Sequence, residues 1–214
     1  MASKPPPSRR SPSDLRGQDK VIYEVRRLVD EWRGFELGKA ADPYPVEPAR
    51  YEPVKDGEQS VSGTTLALLQ HWFRREPHTV GVPPSAYGFK YWPHQRRLVE
   101  TFIYLYEARG IRRTEQLYEL AGVDPLGPQR DPWTKLGGQL ATGSGKTKMM
   151  SLIIAWTYLN AVLEGEAKLG LGRHSILIAP GLFVRDRLLQ DFSPAHGQTA
   201  VFQADPVYPP EFES

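Results

Sequence analysis

A chain of 214 residues, 40% hydrophobic and with a net charge of +2, can bury a sizeable core but has too little excess charge to mark a polyanion-binding protein on charge alone. No apolar stretch approaches the roughly 20 residues that span a bilayer, and Met1-Ala-Ser-Lys-Pro-Pro-Pro has no apolar signal sequence, so the expectation is a cytoplasmic protein with no membrane partner. The lack of cysteine excludes disulfides and thiolate metal sites, and His71, His78, His94, His174 and His196 form no i, i+4 pair of the kind that binds a transition metal.

Residues 1–18 are rich in Pro and Ser, with Lys4, Arg9, Arg10 and Arg16 set against Asp14, and read as a disordered, solvated basic tail. Residues 19–90 read as a helical N-terminal region. Val21, Ile22, Val25, Leu28, Val29 and Trp32 recur at helical spacing over Asp19 to Arg33 and stop near Gly34, with Asp30 and Glu31 on the solvated face. Pro43, Pro45, Pro48 and Pro53 then impose an extended linker. A second helix over Thr64 to Arg75 gathers Leu66, Leu69, Trp72 and Phe73 and ends before Pro77.

From Pro93, a residue pre-set for a first helical turn, Leu98, Val99, Phe102, Ile103, Leu105 and Tyr106 predict a helix that closes at Gly110. A short helix over Thr114 to Ala121 follows, then a break at Gly127, Pro128, Asp131 and Pro132. Leu136 to Leu140 reads as a strand entering a glycine-rich loop. The long helix after it, with Met149, Leu152, Ile153, Trp156, Leu159, Val162 and Leu163, should be covered on most faces. Ser175 to Ala179 has the continuous apolar run of a buried parallel strand, followed by a helix from Phe183 to Phe192 and a weak strand near Thr199 to Gln203. This alternation predicts an α/β fold around a parallel sheet.

The chemistry concentrates in Ala141-Thr142-Gly143-Ser144-Gly145-Lys146-Thr147. Gly143 and Gly145 permit the positive backbone angles that turn successive amides, those of Thr142 and Ser144 among them, toward one anion at a helix N-terminus. Lys146 can place a point charge on the β- and γ-phosphates, and the Thr147 hydroxyl one residue later can ligate Mg²⁺. The strict pattern G-x-x-x-x-G-K-[ST] is broken only by Leu140 at its first glycine, while the strand before the loop and the helix after it supply the context the motif needs. Nucleoside triphosphate binding is the expected function, with Lys146 and Thr147 as the catalytic pair.

The run Gln139-Leu-Ala-Thr-Gly-Ser-Gly-Lys-Thr147 resembles motif I of superfamily 2 helicases of the DEAD/DEAH type, in which Ala-Thr-Gly replaces the leading glycine. Tyr91-Trp-Pro-His-Gln95 resembles the Q motif of those enzymes, which implies that Gln95 reads the adenine edge with Tyr91 or Trp92 stacked on the base. Ile176-Leu-Ile-Ala-Pro-Gly-Leu-Phe-Val-Arg-Asp-Arg187 resembles motif Ia and is most similar to the restriction subunits of type III restriction-modification systems. That likeness implies ATP and Mg²⁺ as cofactors, and Pro180, Gly181 and Arg185 on a nucleic-acid backbone. It also implies DNA as the partner, together with a modification methyltransferase subunit. It makes residues 91–214 the N-terminal part of a first RecA-like domain, a P-loop parallel sheet left incomplete. No acidic Asp-Glu-x-His box follows Thr147, so the chain is expected to be the front part of a longer ATP-driven motor and inactive alone. A non-hydrolysing nucleotide-binding module, and another P-loop phosphotransferase or GTPase-like switch, are the alternatives that share the loop.

Overall fold

The computed structural model describes residues 12–34, 51, 60–81, 83–124, 134–193 and 200–212. Most of the expected tail, most of the proline-rich linker and the break at 125–133 lie outside these residues.

The helices follow the sequence pattern closely. Helix α1 spans Gly17–Trp32 and buries Val21, Val29 and Trp32 while Ile22 stays exposed. Helix α2, Gly63–Trp72, is capped by Ser62, whose hydroxyl accepts from the Thr65 amide at 3.0 Å. Helix α3, Pro93–Ile103, runs on through a π turn at Tyr104–Ala108 that no residue pattern foretells. Helix α4 covers Thr114–Leu120. Helix α5, Lys146–Asn160, continues through a second π turn, Ala161–Gly165, into the short α6, Glu166–Leu169. As expected, α5 is covered on most faces: Met149, Leu152, Ala155, Trp156 and Leu159 are buried and Tyr158 is the one exposed apolar side chain in it, whereas Val162 and Leu163, in the π turn beyond, face solvent. Helices α7 (Leu182–Phe192) and α8 (Val201–Ala204) complete the set and touch through Phe192 and Phe202, with ring centroids 5.5 Å apart.

The strands depart from the reading. Among the described residues the sheet is a two-stranded antiparallel ribbon, β1 (His78–Val80) with β2 (Tyr87–Phe89), in the register His78 to Phe89 and Val80 to Tyr87. The chain thus mixes α and β structure, is mostly helical and shows no parallel sheet in these residues. Residues 136–140 and 175–179 are extended but belong to no ladder, and Ile176 and Ile178, expected to be buried, are 86% and 88% exposed. An extended segment becomes a strand only when a neighbour takes its backbone hydrogen bonds, and among the described residues none does. Of the segment near 199–203, read as a weak strand, residue 199 lies outside the described residues and 201–203 instead belong to the helical turn α8, closed by the Ala204 amide donating to the Ala200 carbonyl at 2.8 Å.

One core joins the N-terminal helices to the loop-bearing half. Val29 and Trp32 of α1, Leu68, Leu69 and Trp72 of α2, Val99 and Ile103 of α3, and Leu152 and Trp156 of α5 pack in a single cluster. A polar seam sets its register. Trp156 Nε1 and Asn160 Nδ2 both donate to Thr65 Oγ1, at 3.0 and 2.9 Å, and Thr65 Oγ1 donates to Glu107 at 2.7 Å. Such a buried network stabilises one packing of α2 on α5 because any other leaves its members unsatisfied.

A second buried seam is ionic. Glu100, fully buried on α3, lies 2.9 Å from Arg33 Nε and 2.8 Å from Arg96 Nε and accepts from the Tyr51 hydroxyl at 2.8 Å. Burial and the Glu100 charge push the Tyr51 hydroxyl well above its ordinary range. Asp30 receives Arg97 at 2.6 Å and Arg33 at 3.3 Å, tying α1 to α3.

His78 is buried where β1 meets α2, its ring 4.7 Å from that of His71. Burial first, then the neighbouring His71 and Arg74, lower it from 6.5 to about 4. The unfolded chain therefore takes up a proton at His78 as the pH falls from 6.5, while the folded chain refuses it until about 4. His78 costs no stability above that window and removes stability progressively within it. Thermal unfolding across the window should show a falling midpoint, and His78→Gln should flatten the fall; an equally steep fall in the variant would assign it to other groups.

Candidate functional site

The loop joins the extended run ending at Leu140 to the first turn of α5. Gly143 and Gly145 both adopt φ +78°, a left-handed conformation that side chains other than glycine rarely tolerate, as the motif requires. Gly145 is the residue that caps α5, so Lys146 and Thr147 are the first two residues of a 15-residue helix, with its dipole and free amides directed at the loop.

Helix α3 holds the loop from behind. Gln95 Nε2 and His94 Nε2 both donate to the Ser144 carbonyl, each at 3.0 Å, while Gln95 Oε1 accepts from the Trp92 amide at 2.8 Å. Both ends of the Gln95 amide are therefore engaged, one on the loop and one on its own helix start. In this structure the Gln95 side chain ties the loop to the start of α3. Of the two aromatics before it, Tyr91 is buried, and burial raises its hydroxyl well above the ordinary range, whereas Trp92 is 62% exposed and offers an open face.

The polar groups of the loop are satisfied locally. Ser144 Oγ and Lys146 Nζ both donate to the Ala141 carbonyl, at 2.8 and 2.7 Å. Thr147 Oγ1 donates to Asp191 Oδ2 at 3.0 Å, across from the last turn of α7. Lys148 forms an ion pair with the buried Asp205 and lies 4.8 Å above the Phe89 ring, which removes it from the loop's chemistry. Thr142 and Gly143 are exposed at the mouth, so an anion can approach from solvent. An apolar hollow of about 310 Å³ lies alongside, between Leu98 and Phe102 of α3, Met149 and Ile153 of α5, Leu140 and Leu177.

The expected nucleic-acid residues sit apart from the loop's mouth, at the other end of α7. Pro180 is exposed, Gly181 caps the helix in extended conformation, and Arg185, 57% exposed, holds its neighbour Asp186 at 2.7 Å. No residue of α7 is buried, and Leu182 and Phe183 are 69% and 87% exposed.

Sequence reasoning missed Asp191 and His94. Asp191 follows Thr147 by 44 residues, and no local periodicity links two positions so far apart. His94 could have been suspected, because it precedes Gln95 at the first turn of a helix.

Comparison with models of protein families, with curated proteins and with solved structures gives no match.

Proposed function

We propose that the chain binds ATP with Mg²⁺ at residues 141–147 and serves as the nucleotide-binding part of a DNA helicase or translocase. The observation that carries the first half is the paired left-handed glycines immediately before a long helix that opens with Lys146 and Thr147. This is the backbone a phosphate cradle needs, with a cation and a hydroxyl placed one residue apart for the terminal phosphates and the metal. The donor set fits Mg²⁺: a hydroxyl at Thr147, a carboxylate 3.0 Å from it at Asp191, and room at an open mouth for phosphate oxygens and water. When bound, Mg²⁺ supplies charge neutralisation on the phosphates. Lys146 would leave the Ala141 carbonyl for the phosphates, and the loop amides would receive the oxygens. The motor half of the reading is supported by the order of the three sequence resemblances, and by the exposed basic side chains of α7.

Titrating an ATP analogue into this chain and into Lys146→Ala, with and without Mg²⁺, tests the reading. The variant should bind at least about tenfold more weakly, since it loses the point charge on the phosphates while keeping the backbone cradle. Equal affinity in the two proteins would sink the proposal. GTP competing as well as ATP would move it toward a switch-like protein, and turnover stimulated by duplex DNA would favour the motor.

A further inference from the structure

Among the carboxylates of α7 and of the residue that caps α8, Asp205 is 3% exposed and bound to Lys148, and Asp186 is held by Arg185 at 2.7 Å. Asp191 differs from both. Its Oδ2 accepts from Thr147 Oγ1 at 3.0 Å and lies 3.5 Å from Arg187 Nε, a loose pair with an arginine that is itself 71% exposed. Among the described residues no hydrogen bond falls on its Oδ1, and the side chain is 24% exposed, open enough for water yet fixed by the hydroxyl. The hydroxyl it touches belongs to the second residue of the helix that the phosphate loop opens.

We propose that Asp191 is the metal-positioning carboxylate of this site, holding Mg²⁺ beside Thr147 either directly or through a coordinated water. The inference rests on the nucleotide-binding reading above. Mg²⁺ keeps several waters and is held by one or two carboxylates plus substrate phosphates, so one carboxylate next to one hydroxyl suffices once the triphosphate arrives. A neutral hydroxyl is a weak ligand alone, and a carboxylate that orients it raises its basicity and fixes its direction. No Asp-Glu-x-His box follows the loop in the sequence, and among the described residues the fold brings Asp191 to the Thr147 hydroxyl.

Mg²⁺ titration at fixed ATP analogue, read by fluorescence, with the wild-type chain, Asp191→Asn, Asp191→Glu and Asp186→Asn, tests this. For Asp191→Asn the Mg²⁺ midpoint should rise at least about tenfold, the usual consequence of removing a metal's supporting carboxylate. Affinity measured in EDTA should not fall, because a negative charge beside the phosphates has been removed. Asp191→Glu should recover part of the Mg²⁺ response, and Asp186→Asn should match the wild type. An unchanged midpoint in Asp191→Asn overturns the inference. So does a parallel loss of affinity with and without Mg²⁺ accompanied by a lower melting temperature, which would make Asp191 a clasp for α7 only. If the wild type binds no nucleotide in either condition, the nucleotide-binding reading fails and takes this one with it; if it binds and only the Mg²⁺ response of the variant is normal, the first reading survives alone.

Discussion

Glu100→Ala should destabilise the fold by about 3–5 kcal/mol, the range for removing one member of a buried ion pair. Arg33, 2% exposed, and Arg96 both lie against this carboxylate, and the Tyr51 hydroxyl donates to it. Its loss leaves two guanidinium groups facing each other in a space that excludes water, and a tyrosine hydroxyl without an acceptor. The cost is largely the penalty of stranding those groups and not the worth of the original contact. In a chain of this size the melting temperature should fall by roughly 6–20 °C. Glu100→Gln keeps an acceptor for Tyr51 and should cost less. Replacing Arg33, Arg96 and Glu100 together by Met, Leu and Leu should restore much of the loss, since the desolvation cost leaves with the charges. Urea denaturation of the four proteins provides the measurement, and a loss below about 1 kcal/mol in Glu100→Ala would mean that water reaches the site.

Gly145→Ala should weaken ATP binding about a hundredfold. An added Cβ would collide with Gln95 Nε2, and the backbone at φ +78° is costly for alanine in any case. Left-handed strain contributes about 1–2 kcal/mol, and displacing a buried glutamine from its acceptor about 1–3 kcal/mol. About 3 kcal/mol together corresponds to two powers of ten in affinity. Gly143 is the internal control: it shares φ +78°, but its Cβ would meet nothing within 4 Å, so Gly143→Ala should suffer only the strain and lose about tenfold. Equal losses at the two positions, measured by titration with an ATP analogue, would show that the contact with Gln95 contributes nothing.

The helices and the loop were legible because their signals are local. The apolar spacing of α1, α2 and α3, Pro93 at a helix start, and two glycines before Lys146-Thr147 each fix backbone geometry within a few residues. What was not legible depends on partners. Ser175 to Ala179 carries the apolar run of a strand, yet the described residues provide nothing for it to pair with, so it is extended and exposed. Residues 201–204 contain Val and Phe, which favour strands, but contact with α7 settles them as a helical turn. The ribbon of β1 and β2 escaped notice because three-residue segments carry too little periodicity to read. At the site, Lys146 and Thr147 followed from the motif, whereas Asp191 and His94 came from the packing of α7 and α3 around the loop.

The two hydrogen bonds on the Ser144 carbonyl also act on an atom they do not touch. A trans peptide is a rigid plane whose C=O and N–H point in opposite directions. With the Ser144 oxygen anchored toward α3 by Gln95 and His94, the Gly145 amide hydrogen must point away from α3. Two side chains of a neighbouring helix thus aim a backbone donor before any ligand arrives. The rotational entropy of that peptide is lost on folding, so an anion approaching the loop on the side away from α3 would meet a donor already turned toward it, without the cost of turning it.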